Sequence, residues 1–327
     1  MLFCLSVFAG SVLFFSPFWG VNTISLKNIL EFSSVNREGS IFWQMRLPRV
    51  IVGFCSGAIF ALGGMVFQAL FRNSLVSPFT LGVTSGASLG AALYIYLGVS
   101  FSLLGLSGIS YFAFIGALLS VWVVWILARA KKNASTSTIL LAGVAVSFFF
   151  SSLIMFIQYL SGINQSVKIS RWLMGGFFTF GYSEVFNLVP VTLMAFLVIW
   201  YFSYDLNLLT TGEDFAKSRG VETTKVLYFL IIFVSFLIGV VVSLCGPIAF
   251  IGIVAPHICR LFVGANHRYL SLATFLFGGA FLVLCDTLAR LVIAPAEMPV
   301  GVITALIGGP FFVWLLVRKS GEEAVGV

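Results

Sequence analysis

Long apolar runs separated by short polar segments fill almost the whole chain. Most runs are close to the roughly 20 residues that an α-helix needs to cross a bilayer. Because lipid cannot satisfy the open edges of strands, helices are the expected spanning elements. The pattern predicts ten membrane helices: Leu2–Trp19, Val50–Leu70, Phe79–Leu97, Tyr111–Ala128, Ser137–Leu160, Val185–Tyr204, Val226–Leu244, Phe250–Val263, Leu270–Ile293 and Val302–Val317.

The order of small residues and prolines predicts two helix starts or broken helices. Ser77-Pro78 precedes the third predicted helix and Gly246-Pro247 precedes the eighth, and both are followed by apolar residues and a glycine. The two segments would start from opposite faces of the membrane, as the halves of an inverted repeat do. A modest excess of Lys and Arg on one side favours a cytoplasmic N-terminus and C-terminus.

Composition agrees with a chain whose solvent is lipid. Hydrophobic residues make up 60% of the 327 residues and charged residues 9%, whereas soluble domains contain about 25% charged residues. The net charge of +7 is dispersed over loop ends, which favours membrane lipid rather than nucleic acid as a partner. We therefore expect an all-α polytopic membrane protein, with residues 1–327 forming one transmembrane domain.

Catalytic motifs are missing from the sequence. No lysine follows a glycine, so a phosphate-binding GxxxxGK[ST] loop is excluded, and no Cys/His cluster has metal-ligand spacing. Deep acids of the kind that relay ions are scarce, and Asp286 stands four residues before Arg290, which predicts an intrahelical ion pair. We expect a transport protein rather than an enzyme, with an ion-coupled secondary carrier as the alternative.

A charged segment, Asp205–Lys225, interrupts the apolar pattern. It contains seven charged residues, and Gly212 and Gly220 divide it into what we expect to be two short helices. One side would be apolar, with Phe215 and Ala216 among its members. Such a structure could insert into a groove on a cytoplasmic ATPase, or it could be a solvated connector, and the residues alone leave both interpretations open.

Three arginines, Arg46, Arg49 and Arg290, fall near the ends of predicted helices on the opposite face. A guanidinium fork suits carboxylates on an extracytoplasmic protein. The alternative is that these side chains reach lipid phosphates.

Ordered motifs along the chain carry a resemblance to a known family. They are Arg46–Arg49, Gln68–Pro78, Leu81–Val83, Ser85–Ala87, Leu141–Val144, Trp172–Gly176, Gly246–Gly252, Pro256-His257, Ala289-Arg290, Ala296–Thr304 and Gly309–Phe312. Together they resemble the FecCD-type permeases of type II ABC importers, over nearly the whole stretch from Arg46 to Arg318.

The resemblance implies a ten-helix permease subunit in a bacterial plasma (inner) membrane. A second permease subunit, identical or similar, would enclose the pathway with it. A cytoplasmic ABC ATPase would bind ATP and magnesium, so this chain would bind no cofactor itself. An extracytoplasmic substrate-binding protein would deliver a metal chelate. A ferric siderophore is the first expectation, and haem, cobalamin and oxyanions remain open.

The resemblance also implies roles for individual positions. The positions that match the family's docking arginines, which contact glutamates of the binding protein, are Arg46, Arg49 and Arg290. The segment that matches the family's ATPase-coupling loop is Asp205–Lys225, where Glu213, Ala216 and Gly220 match the pattern EAA---G. The positions that match the cytoplasmic gate are Asn73, Leu75, Ser135 and Thr136.

Overall fold

The computed structural model describes residues 1–20, 37–103, 105–129, 136–177 and 181–325. Its α-helices, in chain order, are α1 (Leu2–Phe15), α2 (Arg37–Ile41), α3 (Leu47–Leu70), α4 (Val83–Leu97), α5 (Gly108–Arg129), α6 (Thr136–Leu160), α7 (Ile163–Leu173), α8 (Ser183–Tyr201), α9 (Ser203–Thr211), α10 (Glu213–Ser218), α11 (Thr223–Cys245), α12 (Ile251–Val263), α13 (His267–Leu291) and α14 (Val300–Val325). Shorter turns occupy Ser16–Phe18, Phe42–Arg46 and Pro78–Leu81.

The predicted all-α membrane architecture is confirmed. Among the described residues, six helical segments are long and apolar enough to cross a membrane, and four shorter apolar helices accompany them. Each of the ten overlaps one predicted span. Two features were not predicted: helix α7, which is too polar to stand out as an apolar run, and a two-stranded hairpin that pairs Ser102–Leu103 with Leu106–Ser107.

Helix α3 lies at the centre of the bundle, buried along almost its whole length. It packs against α8, α11, α12 and α13. Two of these contacts bring backbone against backbone: a Cβ added to Gly57 would collide with the carbonyl of Gly278 on α13, and one added to Gly64 would collide with the carbonyl of Gly252 on α12. Glycine at these positions is therefore what allows the helices to approach.

Both prolines precede helix starts, which is one of the two predicted alternatives. A 3-10 turn covers Pro78–Leu81, and Gly82 then adopts a left-handed backbone with φ of +77° before α4 begins. Likewise, Phe250 has φ of +69° immediately before α12. The third helix therefore starts four residues later than predicted, at Val83, because the turn that follows the proline is not part of it.

Helices α3 and α13 connect two groups of residues at opposite ends of the bundle. With 24 residues, α3 is about 35 Å long. Arg46 and Arg49 lie at its first end, where α13 terminates with Arg290. At its other end are the short helices α9 and α10 and residues 71–77. We call residues 71–77 the gate loop, because they contain two of the predicted gate residues.

Candidate functional site

Three arginines and two acids meet at the first end of α3. We call Arg46, Arg49, Asp286, Arg290 and Glu297 the arginine cluster. Arg49 donates to Asp286 from Nε, at 3.1 and 3.2 Å, and from Nη2, at 2.9 Å. Arg290 Nε lies 3.2 Å from the same carboxylate, which confirms the predicted intrahelical pair. The sequence did not indicate the Arg49 partner, because 237 residues separate it from Asp286.

The ion pair at the outer edge of this cluster is more exposed to water. Arg49 Nη1 donates to Glu297 Oε2 at 2.8 Å. The side chain of Asp286 is 4% exposed, that of Arg49 16% and that of Glu297 52%. Arg49 is therefore fixed on its inner edge by a buried acid, while its outer tip is held by an acid that water reaches.

Arg46 and Arg290 hold the chain that follows α1. Arg46 Nη1 donates to the carbonyls of Pro17 and Phe18, both at 3.2 Å. Arg290 donates to the carbonyl of Trp19 at 3.2 Å. Both arginines are buried. The three predicted docking arginines are thus brought together, but two of them also bind backbone carbonyls of their own chain.

A cavity of about 230 Å³ opens onto the cluster, lined by all three arginines and Glu297. The cluster has one more positive than negative group. A carboxylate entering this cavity would meet a preorganised guanidinium edge, and the partly excluded water strengthens such a contact. The arrangement is suited to binding an acidic side chain.

We predict that the two acids contribute unequally to stability. Asp286→Asn removes the carboxylate that pairs with buried Arg290 and with the inner edge of Arg49, which we expect to cost about 3–5 kcal/mol of unfolding free energy. Glu297→Gln removes a half-exposed partner and should cost no more than about 1 kcal/mol. Unfolding of the purified protein in detergent measures both values, and equal losses would contradict this division of roles.

At the opposite end of α3 lies the segment predicted to couple to an ATPase, Asp205–Lys225, and we use the name coupling element for residues 203–222, which contain its two short helices. Two short helices, α9 and α10, occupy most of it, as predicted. Gly212, with φ of +149°, separates them, and Gly220, with φ of +85°, follows α10. Backbone with strongly positive φ favours glycine, which explains why these two residues divide the segment.

The residues of the EAA---G pattern occupy different environments. Ala216 is 0% exposed, and its carbonyl accepts from the amide of Val221 at 3.1 Å. Glu213 is exposed and pairs with Lys217 at 2.9 Å. The hydrogen bond from Lys217 holds the pKa of Glu213 below its usual range, so the pair is charged at neutral pH.

The apolar side predicted for this segment is wrong at Phe215. It was expected to share a face with Ala216, but its ring is 47% exposed and lies under the guanidinium of Arg219, 5.4 Å from the ring centre. One turn of helix cannot place neighbouring residues on the same face. The coupling element therefore presents an aromatic ring and charges outward, and buries Ala216 together with Leu206 and Leu209.

Two hydrogen-bonded contacts that the sequence did not indicate hold α9 to the bundle. Asn207 Oδ1 accepts from the backbone amide of His267 at 2.8 Å and lies 2.8 Å from its Nδ1, at the start of α13. Arg72 Nε donates to the carbonyl of Leu209 at 2.9 Å. The partners are separated by 60 and 137 residues, and a backbone carbonyl carries no sequence signal of its own.

The gate loop follows α3 directly. Asn73 Oδ1 accepts from the backbone amide of Leu75 at 2.9 Å, so the two predicted gate residues belong to one turn. Thr136 is the first residue of α6. Ser135, the fourth predicted gate residue, lies outside the described residues. Thr136, Arg72 and Glu213 line one cavity of about 250 Å³, which brings the gate region and the coupling element together.

A third cavity, of about 300 Å³, lies beside α4 and α6. Its lining combines apolar side chains with side chains that carry a hydroxyl or an amide group: Phe79, Thr84, Ser85, Ser88, Ser151, Ile154, Met155, Gln158, Leu173 and Pro247. None of these side chains is charged. Within the described part of the chain, no three His, Cys, Asp or Glu residues are close enough together to hold a metal ion. The cavity therefore offers a mostly apolar wall with some hydroxyl and amide groups, and no ionic contacts.

Comparison with known proteins supports a transport role. The model of the FecCD transport family matches residues 6–318. The hemin transport system permease protein HmuU of Yersinia pestis is 35% identical over 93% of this chain and 91% of its own length. The vitamin B12 import system permease protein BtuC of Klebsiella pneumoniae is 36% identical over 88% and 86%. A metal-chelate type ABC transporter, solved in an inward-facing conformation, superposes with a TM-score of 0.86 at 32% identity, covering 97% and 98%.

Proposed function

This chain belongs to the FecCD transport family, and from that premise we propose that it is the membrane-spanning subunit of an importer driven by ATP. It is a permease of an ABC importer and not an enzyme. In the proposed cycle, a loaded binding protein docks at the arginine cluster. ATP binding on a separate ATPase then moves the coupling element, and the pathway opens to one side of the membrane at a time.

The coupling element carries the proposal. It presents a structured polar surface, with Phe215 and the charged residues Glu213, Lys217 and Arg219 turned outward. An exposed aromatic ring surrounded by charges is typical of a surface that binds a protein partner. The hydrogen bonds of α9 to Arg72 and His267 would transmit a force applied at that surface.

The location of the arginine cluster supports a second partner. The length of α3, which separates the cluster from the coupling element, supports placing the two surfaces on opposite faces of the membrane. We propose that the cluster is extracytoplasmic and that both chain termini are cytoplasmic, in a plasma membrane. Carboxylates of a substrate-binding protein would bind at Arg49, where Glu297 now occupies the outer tip.

For the cargo we propose a metal chelate, with a ferric siderophore as the first candidate. The relatives named above carry hemin and vitamin B12, and the structural relative is of the metal-chelate type. The uncharged lining beside α4 and α6, apolar with some hydroxyl and amide groups, supports a cargo that passes without ionic contacts. Asn73, Leu75, Ser135 and Thr136 would close the pathway behind it, and a second permease subunit would supply its other wall.

We predict that Gly220→Pro abolishes co-purification of an ABC ATPase with this chain. Gly220 has φ of +85°, which a proline ring cannot adopt, so the turn after α10 must change shape. Gly264→Pro is the matched control, since Gly264 has φ of +80° in open space at the end of α12. The measurement is identification of the proteins that co-purify from detergent-solubilised native membranes.

The expected result is an ATPase with Walker motifs in the preparations of the unsubstituted chain and of Gly264→Pro, and its loss in Gly220→Pro. An ATPase retained equally by all three would contradict the assignment of the coupling element.

We predict that Glu297→Gln strengthens docking of the binding protein recovered in that purification. The substitution removes the internal carboxylate that competes for Arg49. Because a half-exposed ion pair contributes at most about 1 kcal/mol, the affinity should rise by up to about fivefold at low salt. The gain should shrink as salt rises, since the contact is partly solvated.

Glu184→Gln is the control for this measurement, because it removes a carboxylate from the start of α8 rather than from the arginine cluster. Titration of the immobilised transporter with the binding protein gives both affinities. An equal gain in both variants, or weaker docking in Glu297→Gln, would contradict competition at Arg49.

A further inference from the structure

One side chain, Arg72, joins the gate loop to the coupling element. It lies two residues after the end of α3 and has a left-handed backbone with φ of +48°. That conformation is unfavourable for a residue with a Cβ, so surrounding contacts must maintain it. Its Nε donates to the carbonyl of Leu209, in the last turn of α9, at 2.9 Å.

The chemistry of this contact makes it stronger than an ordinary backbone hydrogen bond. Because α9 ends at Gly212, the carbonyls of its last turn lack intrahelical donors. They also form the negative end of the helix dipole, which a guanidinium complements. A charge-assisted hydrogen bond at such a site connects two elements more firmly than a contact between neutral groups.

The surroundings of Arg72 extend the connection to the second part of the gate. Arg72, Thr136 and Glu213 line the same cavity of about 250 Å³. After the hydrogen bond from Lys217, the charge of Arg72 is a further cause of the lowered pKa of Glu213. The cation therefore lies between a predicted gate residue and the first residue of the EAA---G pattern.

We propose that Arg72 is the positioning residue that transmits movement of the coupling element to the gate. Asn73 follows it directly and is bonded to the amide of Leu75, so these residues move as one turn. A displacement of α9 would carry the Leu209 carbonyl, and with it Arg72 and the gate turn. The inference rests on the proposed function, because it requires an ATPase that moves the coupling element.

The test measures gate movement and ATP hydrolysis separately in the complete complex with its co-purified ATPase. A thiol is introduced by Leu75→Cys in a Cys4→Ser background, because Cys4 is exposed and the other cysteines are buried. The rate at which a water-soluble maleimide labels this thiol is compared with and without ATP and vanadate. Without further substitution, we expect nucleotide to change the labelling rate.

Two variants distinguish the effect of the Arg72 side chain from the effect of its backbone conformation. Arg72→Gln removes the charge, and Arg72→Gly also removes the side chain but adopts positive φ without strain. In both, we expect the nucleotide-dependent change in labelling to fall by about tenfold, the factor that corresponds to one hydrogen bond of this type. ATP hydrolysis should stay close to that of the unsubstituted complex.

Arg129→Gln is the matched control, since the Arg129 guanidinium lies 3.9 Å from the ring centre of Trp125 at the end of α5. It should retain the nucleotide-dependent change. An unchanged labelling response in both Arg72 variants would overturn the inference, and so would a loss of hydrolysis in both, which would make Arg72 a purely structural residue. If the unsubstituted complex hydrolysed no ATP, the proposed function itself would fail, and the inference with it.

Discussion

The close approach of glycine-bearing helices is the constraint on which the rest of this structure depends. Lipid offers no hydrophobic driving force between helices, so they associate through packing and through hydrogen bonds. Gly57 against Gly278 and Gly64 against Gly252 let α3 touch α13 and α12 along their backbones. Without the first contact, Arg49 on α3 could not reach Asp286 on α13. Larger side chains there would separate the helices that carry the arginine cluster.

The same packing explains how events at one membrane face could influence the other. Helix α13 begins at His267, which is bonded to Asn207 of the coupling element, and ends with Arg290 in the arginine cluster. Helix α3 runs beside it, from the cluster to the gate loop. Two packed helices thus connect a surface suited to an acidic partner with the surface that we propose binds an ATPase. Packed, rigid elements of this kind can carry energetic coupling between distant sites.

Much of this architecture could be predicted from the sequence, because a long apolar run is a strong and local signal. The ten spans and the helix starts after Pro78 and Pro247 follow from such signals. The ion pair of Arg49 with Asp286 could not be found in this way, since nothing local relates residues so far apart. Arg72 was missed because its acceptor is a backbone carbonyl, and Phe215 was misplaced because a short helix has too few turns to define a face.

The most direct test of the account is the energy source for uptake. The permease would be reconstituted into liposomes with its co-purified ATPase and loaded binding protein, and cargo uptake measured with ATP inside or outside and with ionophores present. For an ATP-driven permease we expect uptake that requires ATP on the side of the coupling element and persists when proton and sodium gradients are collapsed. Uptake that proceeds without ATP and stops when the gradients collapse would contradict that expectation and would favour an ion-coupled carrier.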